Sequence, residues 1–514
     1  MIGDFRKAMS DYKLIRRFKN FVFLGEMGIS EVYEKMGRYM LSFEHIRKAS
    51  DYCFDELMSV QILNHMIFVL IRLGRLKEAQ NKGSIVQRLI RASNMKKEQS
   101  YSSMAYCYYN FGVFYLQTGR LSKSLDFTLK GIRIAMSIRD YRRLAHLYNL
   151  ISLIYKRMNK RKLSLYYVQK SLKYFIQIGD VSQIAGCYNN LASLIEQPRE
   201  SIFYYEKALS MFKQIGYNMG IFEIAHNLAN KYLALGLCRK AFSEYKNAYD
   251  LSKEMHYKLG IANSLCGLGT TAKYLGDYQN ALKYAVRAIE VSSGIDNREG
   301  LLENTFLIAG IKLEMNDKDA YDWLNKTQRL SEKMNDFETL VEILYEKIEY
   351  LIFKSNYSAL GEIKVELARI NHLKFRLRSR IFYKICHLRI LGVNKRLISQ
   401  GILQSLEEEL DNMLKEIQYQ DLIYYICKAL FDYHLQNDVF KARNIYELLK
   451  RNIDGDEMAD FFPTVLFLGA KLRHRLGQPA LYQIREAMSR AQKMGKKRLI
   501  VEMKRWLISE NITY

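Results

Sequence analysis

A residue that helices tolerate poorly, usually Gly or Asn, recurs through this chain. It stands at Gly37, Gly74, Gly119, Asn159, Gln197, Gly236, Gly276, Asn316 and Asn356, and after one skipped beat at Asn437 and Gly477. Gly37 and Gly477 lie 440 residues apart, eleven steps of about 40. Self-similarity at this period belongs to chains whose repeated units cannot bury their apolar faces alone and do so by stacking. A stacked array overrides the expectation of several globular domains for 514 residues, because each unit packs mainly on its neighbours.

Small residues follow most breakers in pairs seven apart: Ser42/Ala49, Ser124/Gly131, Ser164/Ser171, Ala241/Ala248 and Ala281/Ala288. Ser201/Ala208, Ala320/Thr327 and Ala480/Ala487 keep the gap at a shifted offset. Seven residues are two helical turns, so both members share a face and admit a close neighbour. Large apolar residues such as Tyr278, Leu282 and Ile289 complete such a face, and each repeat reads as two antiparallel helices joined by a tight turn. Only Pro198, Pro463 and Pro479 could interrupt helices, and no segment alternates long enough to demand a sheet.

The stretch from His226 to Gly236, and Leu268-Gly269 running into Gly276-Asp277-Tyr278-Gln279-Asn280-Ala281 with Ala288 beyond, resemble tetratricopeptide (TPR) repeats. The match is strongest from 100 to 300, and the unit of about 40 resembles the long TPR variants of bacterial signal-transduction regulators and polarity adaptors. The resemblance implies an all-α, right-handed TPR-like α-solenoid of about 11–12 helix pairs. The chain divides into 1–20, an incomplete repeat or capping helix; 21–369, the array; 370–435, degenerate helical repeats; and 436–514, TPR-like repeats with a terminal cap over Lys496 to Ile508. Ile2-Gly3-Asp4-Phe5-Arg6-Lys7-Ala8 is similar to Leu275–Ala281, the start of a second helix. Either the chain is the C-terminal part of a longer protein, or Met1 to Lys19 is a short cap; translation of the upstream DNA separates the two.

No secretory h-region opens the chain and no apolar run approaches the roughly 20 residues of a membrane span. Seven scattered cysteines suit a reducing cytoplasm. The phosphate-binding, dinucleotide, zinc-protease and C-x-x-C motifs are absent, and the nine histidines are isolated. The expectation is a non-catalytic chain without metal or cofactor, and His146 and His226 read as helix-face residues.

Two features point to partners. Asn110, Asn149, Asn190 and Asn227 recur in four successive first helices, with Asn230 one turn on, and Tyr109 and Tyr148 precede the first two. By the TPR resemblance first helices line a concave groove, where a carboxamide that both donates and accepts can grip a peptide backbone. The alternative is that asparagine there serves hydrogen bonding between helices. The second feature is a net charge of +25 concentrated in two acid-free stretches. One, from 141 to 179, carries Arg142, Arg143, Lys156, Arg157, Lys160, Arg161, Lys162, Lys170 and Lys173. The other, from 368 to 406, includes Arg376, Arg378, Arg380, Lys384 and Arg389. Such stretches predict an anionic partner, foremost an acidic peptide. Nucleic acid is the second reading, supported by Tyr155, Tyr166, Tyr167 and Tyr174 among the bases.

Overall fold

The computed structural model describes residues 5–35, 38–92, 97–195, 197–370, 377–393, 408–410, 412, 420–453 and 458–512, which form helices joined by short turns, with no strand among the described residues. Two interleaved series of turns build the array. Gly74, Gly119, Asn159, Gly236, Gly276, Asn316 and Gly477 hold φ between 50° and 80° and reverse the chain between the two helices of a repeat. Left-handed backbone is nearly free for glycine and cheapest for Asn among the others, which is why those types recur. The second series, Arg139, Gly179, Gly216, His256, Asp296, Asn335 and Gly495, takes the same region between repeats. At four of these turns the next residue caps the following helix. Asp140 accepts from the Arg143 backbone N–H at 3.0 Å, Asp180 from Gln183 at 3.2 Å, Asn297 from Gly300 at 3.2 Å and Asp336 from Thr339 at 3.1 Å.

Some of the expected breakers take other roles. The turn expected at Asn356 is made by Ser355, at φ 58°. Gln197, at φ −60°, precedes a helix that begins with Pro198, whose fixed φ suits the first helical position. Asn437 ends the helix Gln420–Asn437, and Gly37 lies outside the described residues.

The small residues hold the helix pairs together. Ser124 Oγ donates to the Gly112 carbonyl at 2.7 Å, Ser164 Oγ to Ser152 at 2.8 Å and Ser201 Oγ to Ala192 at 2.7 Å. A Cβ on Gly131 would lie 2.8 Å from a Leu147 methyl. Ala241, Ala248, Ala281 and Ala288 are wholly buried. Cys187 behaves as another small core residue, its thiol pushed up to about 11 by burial.

Two compact units emerge: Met1–Leu228 with Glu254–Tyr257, and Ala229–Lys253 with Lys258–Tyr514. In the second, the terminal helix Lys497–Ser509 buries Leu499, Met503 and Leu507. It also reaches back to a much earlier helix, Phe337–Phe353: Arg498 donates to the Glu349 carbonyl at 2.9 Å and Arg505 to the Phe353 carbonyl at 2.6 Å. Among the described residues no helix is long and apolar enough to cross a membrane.

Candidate functional site

The helices Lys97–Gln117, Tyr141–Arg157, Val181–Leu194 and Asn218–Ala234, the last belonging to the first unit only as far as Leu228, are first helices of successive repeats. Side-chain bonds link these helices to one another. Asn190 Nδ2 donates to Asn149 Oδ1 at 2.8 Å, Asn227 Nδ2 to Asn189 Oδ1 at 2.9 Å, and Lys156 Nζ to Ser193 Oγ at 2.7 Å. All four of these asparagines are half-buried.

The asparagines do not form one straight row. Asn149 stands nine residues after its cap Asp140 and Asn189 nine after Asp180, whereas Asn190 stands ten after. One residue is about 100° around a helix, so the bonds run diagonally from one register to the next. Asn110 has the same offset from Gly119 as Leu150 has from Asn159, and like Leu150 it is buried. Its Nδ2 donates to the Asn64 carbonyl at 3.0 Å, so it joins helices and does not face a groove. Asn230, in the second unit, accepts from Tyr245 Oη at 2.5 Å. The Tyr245 ring also ends the asparagine series, since a Cβ on Gly267 would lie 2.3 Å from it and no larger side chain fits.

Aromatic and charged side chains flank the asparagines. Tyr109 is half-buried, its ring 6.1 Å from Tyr106 and 6.0 Å from His146, and the Arg143 guanidinium lies 4.1 Å from the Tyr106 ring centre. Burial first, then Arg143, pushes His146 down to about 4, so it stands neutral at pH 7. Arg72 and Glu223 are each solvent-exposed, yet each feels the other's charge across 151 residues of sequence. Enclosure raises the Glu223 carboxyl, and Arg72 partly offsets it. Tyr39, Glu34 and Tyr109 also act on Arg72, while Tyr217 and Tyr257 feel Glu223. Arg72, Glu223, Tyr39 and Tyr109 thus lie close enough in space for their charges to act on one another, although their helices are far apart in sequence. Sequence reading missed Arg72, Glu223, Tyr39, Tyr106, Tyr217 and Tyr257. A signal was present: Arg72, Tyr109 and His146 are 37 residues apart in turn.

Tyr148 is 7 % exposed and stacks on Tyr167 and Tyr174 at 5.9 Å each, so it belongs to the core, contrary to the expectation that it lines the groove. Arg142 and Arg157 are exposed, and among the described residues no carboxylate pairs with either.

Among the described residues of the second basic stretch, Arg378, Lys384 and Arg389 are paired with carboxylates of the chain itself. Arg376 lies outside the described residues and Arg380 is exposed. Arg378 binds Glu342 at 2.8 Å and Asp421 at 2.7 Å, and eleven residues on Arg389 binds Glu349 at 2.5 Å and Asp432 at 2.8 Å. Lys428 adds a second cation on Glu349 at 2.8 Å. Burial would raise the Glu349 carboxyl, but Arg389 and Lys428 outweigh it and hold the group far below its usual range. The acid-free helix is thus the complement of acids on its neighbours, Phe337–Phe353 and Gln420–Asn437. Arg378 is accordingly withdrawn from the set that attracts an outside anion. Among the described residues no group of three or more His, Cys, Asp or Glu is placed to hold a metal.

Residues 220–294 match the family model described as tetratricopeptide repeat. No curated protein matches the chain. Solved structures similar to it include the apo form of RapI, with 13% identity over 66% of this chain and 99% of that one, at a TM-score of 0.47. Another is the apo form of the quorum sensor NprR from B. thuringiensis, with 16% identity over 75% and 99%, at 0.46. A third is the Rap conjugation gene regulator of the plasmid pLS20 in complex with the Phr* peptide, with 14% identity over 67% and 99%, at 0.41.

Proposed function

We propose that this chain, a TPR-type repeat protein, is a non-catalytic scaffold that holds an extended peptide segment against the inner face of its Met1–Leu228 unit, in signalling or transcriptional regulation. The observation that carries the reading is the row of half-buried asparagines joined across successive first helices. Each diagonal bond uses one half of a carboxamide, fixing the side chain while its other half is available to a peptide unit. Tyr109 adds a flat wall with a polar edge, and Arg143 and Arg72 supply positive charge for an acidic side chain. Glu223 selects against a uniformly acidic segment at its end of the face, so the favoured peptide is acidic in part. Arg142, Lys156 and Arg157 add to the positive potential that steers it. Binding in a cytoplasmic setting, to a protein and not to a membrane, completes the reading.

Affinity capture from native lysate with and without nuclease, beside Asn149→Ala/Asn227→Ala, tests it. A protein that survives nuclease and is lost, at least tenfold, with the double variant is the expected result. Nucleic acid on the beads, indifferent to the asparagines, would move the function to the exposed bases Arg142, Arg157, Lys162 and Lys173 with Tyr166.

A further inference from the structure

The second unit contains a cavity of about 300 Å³ lined by the terminal helix Lys497–Ser509 and by Phe337–Phe353, Leu377–Val393, Gln420–Asn437 and Phe462–Arg475. That volume is at the small end of metabolite pockets. Its walls divide into a floor and a rim. On the floor, Arg389 and Lys428 are matched by Glu349 and Asp432, so that cluster is balanced within the protein.

The rim is not balanced. Lys471 and Arg505 both line the cavity, and among the described residues neither meets a carboxylate within ion-pair distance. Lys471 Nζ rests 4.6 Å from the Phe467 ring centre. Arg505 gives one N–H to the Phe353 carbonyl and stands 5.0 Å from the Phe353 ring centre. Glu502, the remaining acid of the wall, faces Arg498 at 3.6 Å. Three aromatic side chains, Phe353, Phe467 and Trp506, complete the site, the Phe467 and Trp506 rings crossing at 80° with centres 5.6 Å apart.

We propose that this cavity binds a small organic anion with a flat apolar body, its acidic group held by Lys471 and Arg505 and its body against Phe353, Phe467 and Trp506. Two cations without an internal counter-ion beside partly apolar walls make a site that favours an anion over a neutral or cationic molecule. The ligand would touch the terminal helix and two earlier helices, Phe337–Phe353 and Phe462–Arg475, at once. It would therefore stabilise the folded-back arrangement by mass action, giving the second unit an effector input separate from peptide binding in the first.

The chain's two tryptophans make the site testable. In a Trp323→Phe background, Trp506 is the sole indole. The probe is 8-anilinonaphthalene-1-sulfonate, an aromatic anion that accepts excitation energy from tryptophan. The expected result is saturable quenching of Trp506 with sensitised probe emission at one equivalent. Lys471→Met and Arg505→Met should each weaken it at least tenfold, and the uncharged analogue N-phenyl-1-naphthylamine should bind at least tenfold more weakly. Probe fluorescence without Trp506 quenching, equal binding of the neutral analogue, or full binding by Lys471→Met would each overturn the proposal. Lys471 makes no hydrogen bond among the described residues, so its substitution tests binding even where Arg505→Met unfolds. Circular dichroism confirms the fold of each variant.

Discussion

At the scale of single residues, burial decides which side chains are available. Asn110 and Asn149 look equivalent along the chain, but a one-residue difference in register sends the first into the core and leaves the second at the surface. His146 shows the energetic side. It packs against Tyr109 and Phe175, with Arg142, Arg143, Asp140 and Asp180 around it, and its folded pKa of about 4 lies below the ordinary 6.5. Because the folded state resists protonation, the neutral ring costs nothing above pH 6.5, and stability is lost as pH falls from 6.5 toward 4. The loss is at most about 3 kcal/mol, at 1.36 kcal/mol per pKa unit. Urea unfolding at pH 7.5, 5.5 and 4.5 should show this decline in the first unit and a shallower one in His146→Gln. Equal slopes would show that the ring protonates freely.

At the scale of elements, glycine spacing carries information that charge spacing does not. Gly267 lies against the Tyr245 ring, whereas Gly361, in the helix Leu360–Ala368, has nothing within 4 Å of a built Cβ. Gly267→Ala should therefore destabilise by about 1–3 kcal/mol through overpacking, while Gly361→Ala should stabilise by up to ~1 kcal/mol through helix propensity. Thermal unfolding of the two variants checks the opposite signs. The helical period, the turn glycines and the small-residue pairs were legible because they are local: a left-handed turn and a close approach restrict the residue at that position alone. The turn at Arg139 was not, since arginine carries no turn preference and takes the left-handed conformation because the flanking helices pack. The basic stretch 368–406 misled for the same reason in reverse. Its partners, Glu342, Glu349, Asp421 and Asp432, are one repeat away in sequence and beside it in space. Counting charge along the chain cannot see a neighbour about 40 residues off, although the matched spacing of eleven in Arg378/Arg389 and Asp421/Asp432 was there to be read.

At the scale of the whole molecule, the two units differ in the polar groups their helices leave accessible. In the first, half-buried asparagines, tyrosines and opposed charges remain accessible. In the second, later segments of the chain pack against much earlier ones. Lys496 is buried between Glu314 at 2.8 Å and Asp460 at 3.0 Å, Tyr278 Oη donates to Asp460, and Phe461 stacks on Tyr424 at 4.1 Å. Burial would raise the Glu314 carboxyl, but Lys496 and Arg498 bring it down to about 2, so the cluster stays charged through the physiological range. Glu349→Gln, which leaves Arg389 and Lys428 short of a counter-ion, should destabilise the second unit by about 3–5 kcal/mol. Guanidinium unfolding followed by Trp506 fluorescence measures it, and a change below ~1 kcal/mol would mean that water already compensates those cations.

The contacts of Lys496 with Glu314 and of Tyr278 with Asp460 each span 182 residues. A linear stack can gain or lose a module anywhere and simply become longer or shorter. Here the two ends of a run of modules are tied to each other, so the number of modules between them is fixed. Deleting one internal forty-residue step would leave every local turn and helix pair intact and still put Lys496 out of reach of Glu314. Insertions and deletions of whole modules should therefore be tolerated outside residues 278–496 and rejected within them, a constraint on how this chain can change its length over time.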